Sequence, residues 1–115
     1  MKMAYDKQNV FAKILRKEIP SDFLYEDDFV VAFRDIHPKA ATHVLVVTKG
    51  AYEDFGDFMA HADKEEIIGV WAAVKKVAEQ LDIVAAGYRL IVNVGKGSGQ
   101  EVPHLHIHIL SNKES

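Results

Sequence analysis

The sequence of 115 residues contains no cysteine, which excludes disulfide bonds, thiol nucleophiles and thiolate metal ligands. It has no apolar run near the roughly 20 residues that a membrane-spanning helix requires, and residues 1–6 lead into a polar segment without the apolar stretch of an export signal. Basic residues are not in excess, because 14 Lys and Arg stand against 17 Asp and Glu. These absences predict a cytoplasmic protein that binds neither membranes nor nucleic acid.

The residues that are present have the composition of an ordinary globular domain. Hydrophobic residues make up 49% of the chain and charged residues 27%, as in typical soluble proteins. A length of 115 residues suits one domain, residues 1–115, with a hydrophobic core of its own. Since the net charge is −3, an anionic ligand would have to be held by local hydrogen-bond donors.

Two segments have helical spacing. Asp63 is a good N-cap because a glutamate follows three residues later, and it predicts a helix that runs to about residue 81. The apolar face of that helix is predicted to contain Ile67, Trp71, Val74, Ala78 and Leu81. Trp71 is therefore expected in the core. A first helix is predicted from about Asn9 to Glu18, because Pro20 disfavours helical geometry at the residue before it.

Five further segments have the alternating or continuous apolar pattern of strands. They are Phe23–Tyr25, Phe29–Phe33, His43–Thr48, Tyr88–Val94 and His104–Ile109. A polar turn joins the first two and predicts a hairpin, and the apolar run of the third predicts a buried central strand. Residues 51–59 are ambiguous and predict a short helical turn. Because connections are short and strands outnumber helices, the predicted fold class is α+β with an antiparallel sheet.

The most informative segment is the run from His104 to Ile109, in which three histidines alternate with three aliphatic residues. Successive side chains of a strand point to opposite faces, so His104, His106 and His108 are expected to share one face. Neighbouring imidazoles on that face would lie about 6–7 Å apart, close enough for all three to meet one small charged ligand. Three aligned imidazoles are poorly explained as solvated surface, which leaves catalysis and metal binding.

A histidine cluster can hold neutral and protonated imidazoles together, because imidazole titrates near pH 6.5. A neutral imidazole can attack phosphorus, and a protonated one can stabilise an oxyanion or protonate a leaving group. Structural zinc normally takes four ligands, and this chain has no thiolate to supply. The glycine-rich loop Gly95–Gly99 precedes the histidines, and its N–H groups can face an anion. Together these features favour phosphoryl or nucleotidyl transfer through a phosphohistidine-type intermediate.

Several motifs, in order along the chain, resemble those of the histidine triad (HIT) superfamily. His104–Leu110 resembles its alternating histidine motif, and Phe11–Ile14 with Glu18–Pro20 resembles the N-terminal helix of its HINT-like branch. Ala32–Pro38 is similar to the ribose-binding turn, and Thr42–Val46 to the strand that bears a fourth histidine. The resemblance implies a single HIT domain with a five-stranded antiparallel sheet and two main helices. It also implies a homodimer in which the sheet continues across the interface.

The resemblance further implies a role for each matching residue. His106 would be the nucleophile, and His108 would contact the scissile phosphate and the leaving atom. His104 and His43 would lie behind them as a relay that sets tautomer and orientation. Asp35 would accept hydrogen bonds from the ribose hydroxyls. The other nucleotide-binding positions would be Phe11, Ile14, Ile19, Phe33, Ile36, Asn93, Gly99 and Gln100. For the apolar positions among them, simple core burial is the alternative.

The function that the resemblance implies is hydrolysis of the P–N bond in purine nucleoside 5′-phosphoramidates. It would proceed through a nucleotidyl-histidine intermediate to the nucleoside monophosphate, with no cofactor or metal. The alternatives are hydrolysis of dinucleoside polyphosphates and a non-enzymatic role as a nucleotide- or zinc-binding regulatory adaptor. Glu101 departs from the pattern, because family members commonly carry Ser or Thr there to meet the phosphate. Leaving-group preference is therefore not expected to follow from the resemblance.

Overall fold

Residues 5–115, described by a computed structural model, confirm the predicted α+β class. The helices are α1 (Val10–Leu15), α2 (Phe55–His61) and α3 (Lys64–Gln80). The strands are β1 (Tyr25–Glu26), β2 (Val30–Arg34), β3 (Thr42–Thr48), β4 (Arg89–Ile91) and β5 (His106–Ser111). None of these helices is long and apolar enough to cross a membrane.

The five strands form one antiparallel sheet in the order β1-β2-β3-β5-β4. The predicted hairpin is present as β1 and β2. The apolar run in β3 correctly predicted a central strand, since every residue from Thr42 to Thr48 is buried. In the adjoining ladders His108 lies opposite Leu45 of β3 and Ile91 of β4. The histidine strand therefore runs between the buried centre of the sheet and its β4 edge.

β5 begins two residues later than the alternation predicts. His104 and Leu105 precede the strand, which continues to Ser111. Leu105 donates its backbone N–H to the carbonyl oxygen of Tyr52 at 2.8 Å, in the loop after β3. This hydrogen bond replaces a ladder contact, so the regular strand starts at His106.

α3 packs on one face of the sheet and supplies much of the larger core. Asp63 caps it as predicted, because its carboxylate accepts the N–H of Glu66 at 2.8 Å. The buried residues of α3 are Val70, Ala73, Val74, Val77 and Ala78. The prediction that Trp71 lies in the core is wrong, since its side chain is 36% exposed. The buried row runs through Val70, and successive side chains on a helix are about 100° apart, which turns Trp71 to the flank.

Residues 51–59, ambiguous in sequence, contain the start of a third α-helix. Asp54 is its N-cap and accepts the N–H of Asp57 at 2.9 Å, the usual reason for an aspartate at this position. Phe58 is buried in the core beneath α2. Residues 5–115 therefore contain three α-helices, whereas two main helices were expected.

α1 covers part of the opposite face of the sheet. A second apolar cluster there contains Phe11, Ile14, Val31, Phe33, Leu45 and Val47. Asn9 caps the helix and accepts the N–H of Ala12 at 2.9 Å. The helix ends at Leu15 instead of near Glu18, because the chain turns through a left-handed conformation at Lys17, with φ of 64°. The rest of this sheet face is left open beside α1.

Gly69 lets α3 approach Phe29, and we expect Gly69→Ala to destabilise the protein. An added Cβ would lie between 2.3 and 3.0 Å from three ring atoms of Phe29. Alanine improves helix propensity by about 1 kcal/mol, but displacing a packed ring costs about 1–3 kcal/mol. Urea unfolding should therefore give a lower free energy of unfolding. The matched control is Gly56→Ala in α2, where the nearest atom is 3.5 Å away. Equal stability of the two variants would contradict this packing.

Candidate active site

A cleft of about 680 Å³ opens on the sheet face beside α1. Its lining comes from α1 and the segment after it, from β2 and the loop after it, from strands β3, β4 and β5, and from the end of the glycine-rich loop with the residues that follow it. The predicted site residues in the lining are Phe11, Ile14, Ile19, Phe33, Asp35, Ile36, His43, Asn93, Gly99, His106 and His108. The fold therefore brings together nearly all of the predicted site, and His104 and Gln100 are the two exceptions.

The end of the cleft next to α1 is apolar. Phe11 and Phe33 meet edge to face, with ring centroids 5.8 Å apart, and Ile14 and Ile19 lie beside them. Ile36 stands at the mouth and is 86% exposed. Apart from Ile36, these side chains both belong to the apolar cluster and line the cleft, so burial and ligand contact are compatible at those positions. A slot bounded by aromatic and aliphatic side chains suits a flat ring system.

His106 offers an unprotonated nitrogen to the cleft. Its ring packs nearly perpendicular to Phe11, with centroids 4.9 Å apart. Its Nδ1 lies 2.6 Å from the backbone carbonyl oxygen of His104. Because a carbonyl oxygen can only accept, Nδ1 carries the proton and Nε2 keeps its lone pair. Within residues 5–115 this Nε2 has no hydrogen-bond partner.

His104 lies behind the cleft and does not line it. It is fully buried, at 0% exposure, and its Nε2 donates to the carbonyl oxygen of Thr48 at 2.7 Å. Its Nδ1 is then the acceptor and takes the Tyr5 hydroxyl at 2.5 Å. The expectation that three imidazoles converge on one ligand is therefore wrong for His104, whose ring is held between these two partners. Its contribution to the site is the backbone carbonyl that orients His106.

A second pair of histidines joins β3 to β5. The backbone N–H of Lys39 donates to Nδ1 of His43 at 3.0 Å, so the His43 proton lies on Nε2. That nitrogen is 2.9 Å from Nδ1 of His108 and donates to it. His108 then carries its own proton on Nε2, for which the described residues provide no acceptor. His104 and His43 therefore do not form the expected relay with each other. His104 holds His106, and His43 holds His108.

The cleft floor consequently presents two imidazoles with opposite properties. The rings of His106 and His108 have centroids 5.0 Å apart. His106 supplies a nitrogen lone pair and His108 supplies an N–H donor. A nucleophile beside a hydrogen-bond donor is the arrangement that attack on a phosphate requires.

Asp35 lies beside this pair at the end of β2. Its Oδ1 accepts the backbone N–H of His37 at 2.8 Å, and its Oδ2 is 3.5 Å from Nε2 of His43. The carboxylate lines the cleft and is partly exposed. It can therefore accept hydrogen bonds from hydroxyl groups of a ligand.

Zinc sites in proteins use histidine and carboxylate ligands, and one such group is present in Asp35, His43 and His108. Their possible ligand atoms lie within 4.8 Å of one another. Their hydrogen bonds oppose metal binding. The Lys39 N–H occupies Nδ1 of His43, so a metal at Nε2 would have to displace the only proton of that ring. The donor set fits a proton relay better than a metal centre.

The glycine-rich loop contributes less to the cleft than its sequence predicts. The N–H of Gly95 donates to the Gln100 side-chain oxygen at 2.7 Å. The Gln100 amide nitrogen donates to the carbonyl oxygens of Glu53 at 2.8 Å and Val102 at 3.0 Å. Gln100 therefore holds the loop in place instead of facing a phosphate, and of this loop Gly99 reaches the cleft.

Burial keeps the histidines of the site neutral. It lowers the pKa of His104 to about 4, and burial followed by the neighbouring His106 and His43 lowers the pKa of His108 to about 4. Burial also lowers the pKa of His106, against the hydrogen bond to His104 and the attraction of Asp35. The pKa of His43 falls for the same reason, with Asp35 opposing. At neutral pH the lone pair of His106 is therefore available.

Several residues that complete the site were missed in the sequence. Tyr5 and Thr48 hold His104, and no local pattern connects them with it. Lys39 acts through its backbone N–H, which no side-chain motif can reveal. Arg89 lines the β4 side of the cleft. Its alternation with the lining residues at positions 91 and 93 could have identified it.

The fold and the site define a class: an antiparallel α+β domain whose last strand places two imidazoles on the floor of an open cleft. The HIT domain model matches residues 16–115, and the chain belongs to the HIT family.

Known relatives resemble this chain over nearly its full length. A purine nucleoside phosphoramidase of Escherichia coli K12 is 44% identical over 108 residues, which cover 93% of this chain and 89% of that protein. An uncharacterized HIT-like protein of Azospirillum brasilense is 48% identical over 113 residues, covering 98% and 93%. A solved HIT family hydrolase of Legionella pneumophila has a TM-score of 0.84 at 37% identity, covering 93% and 95%. The chain is thus HIT family hydrolase-like.

Burial of His104 is expected to make the folded protein less stable at acid pH. Its pKa is about 6.5 when unfolded and about 4 in the folded protein, so between these values the unfolded state binds more protons. We expect the free energy of unfolding to fall as pH falls from about 6.5 to about 4, by about 3 kcal/mol from His104. Urea titrations at several pH values measure this slope. His104→Gln, whose amide can replace both hydrogen bonds, should reduce this slope, of which the other buried histidines keep a part, and an unchanged slope would refute the assignment.

Proposed function

We propose that this HIT family hydrolase cleaves the P–N bond of purine nucleoside 5′-phosphoramidates through a nucleotidyl-histidine intermediate. The products are the nucleoside monophosphate and an amine. The observation that carries the proposal is the lone pair of His106 Nε2 beside the His108 Nε2–H on the floor of one cleft. The substrate class is supported by the 44% identical Escherichia coli relative, which is named for this activity.

The cleft accommodates a nucleotide in one orientation. The base lies in the apolar slot with Phe11 and Phe33, and the ribose hydroxyls donate to Asp35. The phosphate then reaches the histidines of β5, with Asn93 and Gly99 at its sides. This order follows from the positions of the apolar slot, the carboxylate and the two imidazoles across the sheet.

In the first step His106 Nε2 attacks the phosphorus, and the P–N bond breaks with its electron pair leaving on nitrogen. The new imidazole–phosphorus bond makes the ring cationic, and the Nδ1–H bond to the His104 carbonyl stabilises that charge. The leaving nitrogen takes up one proton. That proton comes from solvent, while the Nε2–H of His108, whose Nδ1 accepts from His43, stays on the ring and donates a hydrogen bond to a phosphate oxygen.

In the second step water attacks the nucleotidyl-histidine. The phosphorus–nitrogen bond to His106 breaks, the nucleoside monophosphate leaves with the water oxygen, and one water proton is released to solvent. One water is consumed and His106 returns to its starting tautomer. The His43–His108 hydrogen bond holds the His108 ring in one orientation through both steps.

Hydrolysis of dinucleoside polyphosphates is the second candidate, because it uses the same nucleophile with a phosphate as the leaving group. Arg89 and Lys39 line the cleft and would attract an anionic leaving group. Glu101 lines it too and would repel one. Rates on paired adenosine phosphoramidate and diadenosine polyphosphate substrates separate the two candidates.

His106→Ala tests the nucleophile. We expect loss of about 10³-fold or more in turnover of either substrate, because removal of a catalytic nucleophile has effects of this size or larger. Adenosine monophosphate should still bind, since the apolar slot and Asp35 are unchanged. His61→Ala, at an exposed position outside the cleft, is the matched control and should retain full activity. Near wild-type turnover by His106→Ala would exclude the proposed mechanism.

We also propose that two chains form a dimer in which β4 pairs with its symmetry mate and extends the sheet. β4 is the last strand in the sheet order, and Leu90 and Val94 beside its open edge are 44% and 46% exposed. An apolar unpaired edge is a ready template for pairing with another strand. The other edge, β1, has two residues and offers little to pair.

Leu90→Glu tests this dimer. A buried glutamate at a strand-pairing interface would be uncompensated, so we expect sedimentation equilibrium to give one chain for this variant and two chains for the wild type. Val84→Glu places the same charge on another exposed apolar residue, 53% exposed in the loop after α3, and should remain a dimer. A monomeric wild type would rule out the β4 interface.

A further inference from the structure

Tyr5 reaches the histidine site from 99 positions away in the sequence. Its hydroxyl lies 2.5 Å from Nδ1 of His104, and the two rings meet edge to face with centroids 5.6 Å apart. Because Nε2 of His104 donates to the Thr48 carbonyl, Nδ1 has only a lone pair to offer. The Tyr5 hydroxyl therefore donates to it.

The Tyr5 hydroxyl also accepts a hydrogen bond, from the Asn9 side-chain nitrogen at 2.9 Å. Asn9 is the residue that caps α1 through the N–H of Ala12. α1 in turn carries Phe11, whose ring lies against both His104 and His106. Tyr5 thus joins the helix that lines the apolar slot to the buried histidine behind the nucleophile.

We propose that Tyr5 is a positioning residue of this site: its hydroxyl fixes the Nε2–H tautomer of His104 and, through the His104 carbonyl, the orientation of His106. This proposal rests on the hydrolysis proposed above. Two hydrogen bonds on opposite sides of the imidazole, from Tyr5 and to Thr48, prevent the ring from rotating. A fixed His104 keeps its carbonyl 2.6 Å from Nδ1 of His106.

The hydroxyl is suited to this role because it remains a donor. Burial raises the pKa of Tyr5, against the hydrogen bond from Asn9, so the phenol stays protonated over the working pH range. Because His104 is buried, loss of its hydrogen bond from the Tyr5 hydroxyl cannot be compensated by water. At 0% exposure its Nδ1 cannot turn to water when the hydroxyl is removed, and an unpaired buried acceptor is unfavourable.

The cap of α1 does not depend on Tyr5. Asn9 also donates to the backbone oxygen of Asp6 at 2.7 Å, and its oxygen remains bonded to Ala12. Removal of the Tyr5 hydroxyl should therefore leave the helix and its apolar slot in place. Loss of positioning would then appear in kcat, and nucleotide binding would be preserved.

Tyr5→Phe, which keeps the ring and removes the hydroxyl, is the test. Tyr25→Phe is the matched control, because the Tyr25 hydroxyl donates to Asp27 at 2.8 Å on β1, outside the cleft. With an adenosine phosphoramidate, we expect kcat of Tyr5→Phe to fall about tenfold, as when an outer hydrogen-bond partner of a functional histidine is removed. KM and the Kd of adenosine monophosphate should stay near the wild-type values. Tyr25→Phe should match the wild type in all three.

Nitrogen NMR of ¹⁵N-histidine-labelled protein supplies a readout that is independent of turnover. In Tyr5→Phe the Nδ1 resonance of His104 should move downfield, toward an unbonded pyridine-type nitrogen, and the Nδ1–H signal of His106 should broaden. Unchanged His104 and His106 spectra, or an unchanged kcat, would overturn the positioning role. A wild-type protein that turns over no nucleotide substrate would contradict the proposed function. The spectra would then still decide whether Tyr5 orients the two histidines.

Discussion

The hydrogen bond from His106 Nδ1 to the carbonyl oxygen of His104, at 2.6 Å, is the contact on which the geometry of the candidate site depends. It places the proton of His106 on the nitrogen that faces the protein interior. The lone pair is then left on the nitrogen that faces the cleft. In the proposed mechanism, the same bond stabilises the positive charge that forms when that lone pair attacks phosphorus. A second polar chain, from the Lys39 N–H through His43 to His108, gives the adjacent ring the opposite tautomer.

The sheet makes this arrangement possible because one strand serves two purposes. Ile107 and Ile109 of β5 are buried in the core under α3. His106 and His108, which alternate with them, face the cleft. The strand cannot slip by one residue without exposing its aliphatic side chains and burying its imidazoles in the core. Packing of the core therefore fixes the register of the strand face that lines the cleft. Burial also lowers the pKa of His106, so the environment that holds this ring also keeps it neutral.

Periodicity predicted most of the fold, because the main elements bury one face each. The structure contains the predicted histidine strand β5, the predicted central strand β3 and the predicted capped helix α3. The prediction that Trp71 is in the core is wrong. The apolar residues of α3 form two neighbouring rows, and packing against the sheet determines which row is buried. The predicted site was largely assembled by the structure, through motifs that lie on adjacent strands.

The remaining errors have a common physical origin. His104 lies behind the cleft, as the family resemblance implies, but its hydrogen-bond partners are Tyr5 and Thr48 and not His43, because those two residues, distant in sequence, meet it only in the folded chain. Gln100 lies outside the cleft because its side-chain amide is hydrogen-bonded to the backbone of Gly95 and Glu53. Contacts of this kind depend on tertiary structure and on backbone groups, so residue types along the chain do not reveal them. The residues that position the catalytic groups were therefore harder to predict than the groups themselves.

Two-bond ¹H–¹⁵N correlation in ¹⁵N-histidine-labelled protein measures the tautomer of His106 at neutral pH, on which the proposed attack depends. We expect a neutral ring with the proton on Nδ1 and an unprotonated Nε2. On addition of adenosine monophosphate, the Nε2 resonance should shift as phosphate approaches it. A His106 ring that carries its proton on Nε2, or that is an imidazolium at pH 7, would contradict the central claim.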